Sequence, residues 1–230
     1  PFRRHVESQG IALKDAPPGF ECNGFWFHDQ DGNLIEVRVA EKTSPNQKST
    51  VSNVSVPANQ RGTVTNSNAP IIRPRRMAHM LIFTRDVPKA IEFYHRVLGL
   101  RVSDTSGEGI AFMHGVHGSD HHLIAFAKSG APGLHHCSWD LESIDQIGLG
   151  AMQMAEKGYD RGWGLGRHVL GSNYFHYVRD PWGSYSEYSS DIDYVSADHD
   201  WEAGDFAAED AFYIWGPAAP DDFVHNYEAD

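Results

Sequence analysis

The sequence is short of cysteine, basic charge and long apolar runs. It has two cysteines in 230 residues, Cys22 and Cys137, too few and too far apart for a disulfide framework. That scarcity points to a reducing, cytoplasmic setting. Nineteen Lys and Arg stand against 31 Asp and Glu, a formal net charge of −12. Such a balance excludes nucleic acid as a partner, because phosphate binding needs a basic face. No apolar run approaches the ~20 residues of a membrane helix, and no secretory segment is visible, so no membrane partner is expected. The chain starts on Pro1 rather than Met, and the expectation is that an upstream piece is missing from it.

Histidine is plentiful, with fourteen in the chain. Eight fall close together in sequence: His114, His117, His121, His122, His135, His136, His168 and His176. Clustering of a residue that titrates near neutrality and ligates metals points to a metal or acid–base site.

Residues 41–73 are rich in Ser, Thr, Asn and Pro and read as a linker. Beyond them a pattern appears twice, about 55 residues apart: strand, helix, three strands. In the first copy "HMLIFTRDV" is a strand and "VPKAIEFYHRVLGL" an amphipathic helix, with Pro88 in its first turn and Gly99 at its stop. The strands "LRVSD", "GIAFMH" and "DHHLIAFAK" follow. In the second copy "LHHCSWDL" is the strand, and the helix runs from a Ser143 cap to Gly158. "GRHVLG", "NYFHYVRD" and "SYSEYSS" then complete it. A fainter echo over 24–37 matches 174–188, with Glu36 against Glu187, so residues 1–40 read as the back half of another copy. The expected organisation is a partial N-terminal module (1–40), a linker (41–73), a catalytic domain of two βαβββ modules (74–192) and an acidic aromatic tail (193–230) that wraps the body or caps the site. The fold class is α+β, with paired βαβββ modules forming a curved, partly open barrel-like sheet around a metal cleft.

The first and last strands of each module should line that cleft. They carry His79, the pair His135 and His136, and Glu187. Two histidines and one carboxylate leave coordination positions open, the donor set suited to non-haem Fe(II) oxygen chemistry. Neighbouring strand residues point to opposite faces, so only one of His135 and His136 can enter the cleft. The face of His136, Ser138 and Asp140 is polar, while that of His135, Cys137, Trp139 and Leu141 is mostly apolar. Parity therefore assigns His136 to the cleft and His135 to the packing side. It likewise separates His121 from His122. Tyr177 and Glu187 share a face if the Asp180–Ser184 loop has five residues. His114 and His117 read as surface residues, and no basic side chain falls in the cleft strands.

The run Gly166-Arg167-His168, Tyr177, Asp180-Pro181-Trp182-Gly183 and Glu187 resembles the signature of the type I extradiol ring-cleavage dioxygenases of the vicinal oxygen chelate superfamily. "HHLIAF" and "GLHHCSWDL" are similar to family stretches as well. His176, at an apolar position of the signature, is a departure. The resemblance covers roughly Arg75 to Asp193. It implies His79, His136 and Glu187 as ligands of Fe(II), with Mn(II) as the alternative metal. It also implies His122 as the acid–base, His168 as a histidine beside the substrate oxygen, and Tyr177 as a phenol bonding a substrate hydroxyl. The implied substrates are a catechol and O2, and the implied assembly is a homo-oligomer. Two other functions fit the modules: a glyoxalase-like or antibiotic-modifying metalloenzyme, and a non-catalytic module binding an aromatic ligand. The set His122, His168 and Tyr177 separates the first reading from these.

Overall fold

The computed structural model describes residues 1–20, 23–52 and 55–229; Cys22 lies outside them. The N-terminal piece comprises α1 (Phe2–Ser8) and a three-stranded antiparallel sheet of β1 (Leu13–Lys14), β2 (Gly24–His28) and β3 (Leu34–Arg38). Between 39 and 75 the only regular element among the described residues is a 3-10 turn, Asn66–Asn68. This stretch lies along the body: the Ser52 amide donates to the Glu142 carbonyl, and Lys42 Nζ donates to the Gly118 carbonyl.

The main body begins at β4 (Arg76–Thr84), followed by α2 (Val87–Leu98), β5 (Arg101–Ser106), β6 (Ile110–His114), β7 (Ser119–Asp120) and β8 (Ile124–Lys128). Apart from β7, which pairs with a later strand outside the main sheet, the order then repeats as β9 (Gly133–Asp140), α3 (Ile144–Ala155), β10 (Gly162–His168), β11 (Tyr174–Arg179) and β12 (Tyr185–Ser190). The remainder holds β13 (Tyr194–Val195), β14 (Gly204–Asp205), α4 (Ala208–Ala211) and β15 (Tyr213–Trp215). Ten strands form one sheet in the order β14-β5-β6-β8-β4-β9-β12-β11-β10-β15. In each half the first strand runs parallel to the last, β4 to β8 and β9 to β12, and the two first strands meet antiparallel at the centre. A pseudo-two-fold axis therefore passes through the β4–β9 pair. The sheet is open, with β14 and β15 at its edges.

Local chemistry accounts for the helices. The Asp86 carboxylate accepts from the Lys89 amide at the start of α2, and Gly99 ends it in the left-handed conformation at φ +75°. Ser143 caps α3 by accepting from the Gln146 amide. Helix α2 lies between the two sheets. Its Ala90, Phe93, Tyr94 and Val97 form one core with Val6 and Phe27 from the N-terminal piece and Ile82, Ile124 and Phe126 from the main sheet. Each large side chain buried there contributes about 1.5–3 kcal/mol. Because Ile82 faces the helix, His79, Leu81 and Phe83 face the other way, into the concave side.

Candidate metal centre

His79, His136 and Glu187 are buried, and each offers one ligand atom within 4.8 Å of the others. His79 Nε2 stands 3.1 Å from Glu187 Oε2, and His136 Nε2 stands 3.7 Å from the same oxygen. Glu187 Oε2 and His136 Nε2 have no hydrogen-bond partner although both are buried. Unpartnered polar atoms of this kind are costly, and two that converge on one point fit a cation between them. The other Glu187 oxygen is held in place: Oε1 accepts from Asn173 Nδ2 at 3.1 Å. Burial works to raise the Glu187 pKa, but the imidazoles of His79 and His168 beside it bring it below the usual range.

The two histidines arrive by the same local device. In the β4–β9 pairing, Met77 faces Trp139 and His79 faces Ser138, which leaves Ala78 as an extra residue. Farther along, Leu81 faces His136 and Ile82 faces Leu134, which leaves His135 extra. Each ligand histidine therefore directly follows a β-bulge, a feature that re-aims side chains. The bulge overturns the parity expectation for His135. Its ring lines the same cavity as His136 rather than packing beneath the sheet, and the two Nδ1 atoms are 2.7 Å apart. His135 Nε2 lies 2.7 Å from the Phe223 carbonyl, with the rings of Phe83, Tyr185 and Phe223 around it. Burial lowers its pKa to about 4.

His121 and His122 lie between β7 and β8 rather than on a strand, yet of the two only His122 lines the cavity, as expected. Both are buried and in contact, with Nδ1 atoms 3.0 Å apart. His121 Nε2 meets Asp104 Oδ2 at 2.7 Å. The His122 ring packs tilted against that of His79, centroids 4.1 Å apart, and lines the cavity. Burial, then the neighbouring imidazoles of His79 and His121, hold His122 well below its ordinary pKa, so it is neutral at pH 7. His114, expected at the surface, is buried, with Nδ1 2.8 Å from Ser103 Oγ and its pKa lowered to about 4 by burial.

Tyr177 pairs directly with Glu187 across the β11–β12 hairpin, whose loop has five residues as the shared face required. His168 Nδ1 lies 2.9 Å from the Phe212 carbonyl and Nε2 lies 2.9 Å from Tyr177 Oη. A carbonyl can only accept, so Nδ1 carries the proton. Burial holds His168 below its usual pKa, against the pull of Glu187 and the Phe212 carbonyl. Neutral His168 therefore accepts the Tyr177 O–H at Nε2. Burial and the Glu187 carboxylate push the phenol well above its ordinary value, so Tyr177 stays protonated.

All six residues singled out in the sequence line or adjoin one cavity of about 390 Å³. Leu81, Ile110, Phe112 and Ala127 form one wall, and Phe212, Phe223 and Val224 of the final segment form another. Lys128, at the end of β8, reaches the lining, so one basic group does stand at this site. Sequence reasoning missed Asn173, the place of His135 in the cavity, and the two acceptor carbonyls of Phe212 and Phe223 in the final segment. No local pattern marks Asn173 as the clamp on Glu187, since its role depends on strands that meet only in the fold.

A family model described as the Glyoxalase/Bleomycin resistance protein/Dioxygenase superfamily matches residues 76–188. Metapyrocatechase 2 of Cupriavidus necator is 52% identical over 228 residues, 99% of this chain and 71% of that protein. Among solved structures, the Mn(II)-bound glyoxalase from Novosphingobium aromaticivorans is 26% identical with a TM-score of 0.67, over 100% of this chain and 74% of its own. The 2,2',3-trihydroxybiphenyl 1,2-dioxygenase from Sphingomonas wittichii shares the fold at 21% identity and a TM-score of 0.67, over 95% of this chain and 74% of its own.

Proposed function

The chain belongs to the Glyoxalase/Bleomycin resistance protein/Dioxygenase superfamily, and from that premise we propose that it is a non-haem Fe(II) extradiol dioxygenase that opens the ring of a catechol with O2. The observation that carries the reading is the convergence of His79, His136 and Glu187 beside His122, His168 and Tyr177 in one buried cavity. His79, His136 and Glu187 hold the metal, and when bound it supplies the path by which electrons leave the ring for O2. Mn(II) accepts the same donors.

The remaining residues handle protons and position. A catechol loses protons on binding, and neutral His122 has Nε2 free to take one while His121 occupies Nδ1. The same group returns a proton as the O–O bond breaks. Tyr177 donates to His168, so its oxygen lone pairs remain to accept from a substrate hydroxyl. The apolar walls exclude water and strengthen these contacts. They also favour a ring whose substituent is uncharged, since Lys128 at the lining is already paired with Glu108.

In this reading residues 1–40 are the back half of a metal-free module, 41–73 a linker, 74–192 the catalytic domain and 193–230 a tail. The two cysteines of the chain support a cytoplasmic enzyme. Exposed Ile214 and Trp215 on the edge strand β15 support a homo-oligomer.

The test is anaerobic loading with Fe(II), followed by oxygen uptake with catechol and with alkyl- and carboxyl-substituted catechols. One O2 consumed per ring, with a yellow ring-opened product and a preference for the uncharged rings, is expected. Retained metal with no uptake across the panel contradicts the reading. The 26% identical Mn(II)-bound glyoxalase favours a second reading, a glyoxalase-like isomerase. That enzyme would not depend on His122, His168 and Tyr177 together.

A further inference from the structure

The final segment does more than wall the cavity. We propose that it is part of the metal centre: through its Phe223 carbonyl and His135 it places the proton of His136 on Nδ1 and leaves Nε2 bare for the metal. The inference rests on the metal reading above and extends it to a segment far along the chain.

The Phe223 carbonyl can only accept, so the contact at 2.7 Å puts a proton on His135 Nε2. A proton on His136 Nε2 would find no acceptor, because that buried atom has no partner, so the proton between the two Nδ1 atoms belongs to His136 and His135 Nδ1 is the acceptor. His136 Nδ1, 2.7 Å away, must be the donor in that contact. With its one proton on Nδ1, His136 presents a lone pair at Nε2, the buried atom that has no partner and stands near Glu187 Oε2. Partners of this kind fix the tautomer and orientation of a metal-binding imidazole. The segment does the same for a second site histidine, since the Phe212 carbonyl accepts from His168 Nδ1.

Phe223 is held in place by contacts away from the metal. Asn226 Nδ2 donates to the Ala131 carbonyl and to Ser129 Oγ, and the Leu134 amide donates to Glu228 Oε1. Arg179 pairs with Asp222 at 2.7 Å. A Cβ on Gly133 would stand 2.5 Å from Asn226 Oδ1, so the segment seats against a position without a side chain. Metal loading and docking of residues 222–228 are then coupled, and each strengthens the other.

The test uses the full chain and three variants. His135→Phe keeps a ring but removes the acceptor, His135→Asn restores an acceptor oxygen, and Asn226→Ala loosens the segment without touching the cavity. Affinity for Mn(II), measured anaerobically by chelator competition, should fall ~10–100-fold in His135→Phe and recover in part in His135→Asn. Asn226→Ala should lose less, and adding it to His135→Phe should cost nothing further. Hydrogen exchange across 222–228 should slow on Mn(II) addition in the wild type and not in His135→Phe. Long-range 1H–15N spectra of the metal-free protein should show His136 protonated at Nδ1. Protonation at Nε2, wild-type affinity in His135→Phe, or full additivity of the two changes would overturn the proposal. If the wild type binds no metal yet shows the Nδ1 tautomer, the metal reading fails while the relay stands.

Discussion

The two halves of the ten-stranded sheet share one design and differ at the position that matters. His79 and His136 are related by the pseudo-two-fold axis: each follows a bulge, and each faces the residue two places beyond the other, His79 against Ser138 and His136 against Leu81. The same register relates the last strands. Glu187 pairs with Ser138, two residues after His136, and Ala125 pairs with Leu81, two residues after His79. Four symmetric positions thus supply two imidazoles, one carboxylate and one methyl group. On the proposed reading the absence of a fourth ligand would leave room for substrate and O2, as an open site requires. The bulge residues differ too. Ala78 is silent in the first half, while His135 in the second links the site to the final segment.

The largest expected effect comes from erasing the carboxylate. Glu187→Ala should lose metal and oxygen uptake together, with affinity falling by more than the ~100-fold upper end for an outer partner; metal titration by chelator competition checks it. Restoring the symmetry is the next most severe change. Ala125→Glu should keep or tighten metal binding while abolishing uptake, because a fourth protein ligand closes the open position; paired metal analysis and an oxygen electrode separate the two. His122→Ala leaves the ligands alone and should cost ~10²–10⁴ in turnover with metal retained. If iron is lost instead, His122 is a ligand and the roles have been exchanged. Tyr177→Phe removes one hydrogen bond to substrate and should cost about tenfold, seen in steady-state kinetics. The smallest effect concerns His114 in the first half. Its folded pKa of about 4 lies below the 6.5 of the unfolded chain, so the unfolded state binds more protons between those values. Stability should fall as pH drops from 6.5 to 4, and His114→Leu should make that slope shallower by at most ~1.4 kcal/mol per pH unit, measured by urea denaturation across pH.

What could be read from the sequence was what local chemistry decides. Asp86, Pro88 and Gly99 bound α2, Ser143 starts α3, and a five-residue loop puts Tyr177 opposite Glu187. The repeat then brought His79, His136 and Glu187 into view before any coordinates. Strand parity failed at His135 because a bulge arises from how β4 and β9 pair, across more than fifty residues of chain, and no residue type at 134–136 announces it. At His121 and His122 the expected strand begins only at Ile124, yet His122 enters the cavity and His121 does not. Asn173, Phe212 and Phe223 were invisible for a related reason: an amide clamp and two backbone carbonyls act wherever the fold delivers them.

On the proposed reading three of four symmetric positions hold the metal, and the fourth, Ala125, offers no ligand. X-ray absorption on the Fe(II)-loaded protein, with and without catechol, measures this directly. The account predicts two imidazoles and one carboxylate from the protein, with the remaining positions filled by oxygen donors that exchange when catechol is added. A third imidazole, a second protein carboxylate, or a ligand shell unchanged by catechol would contradict it.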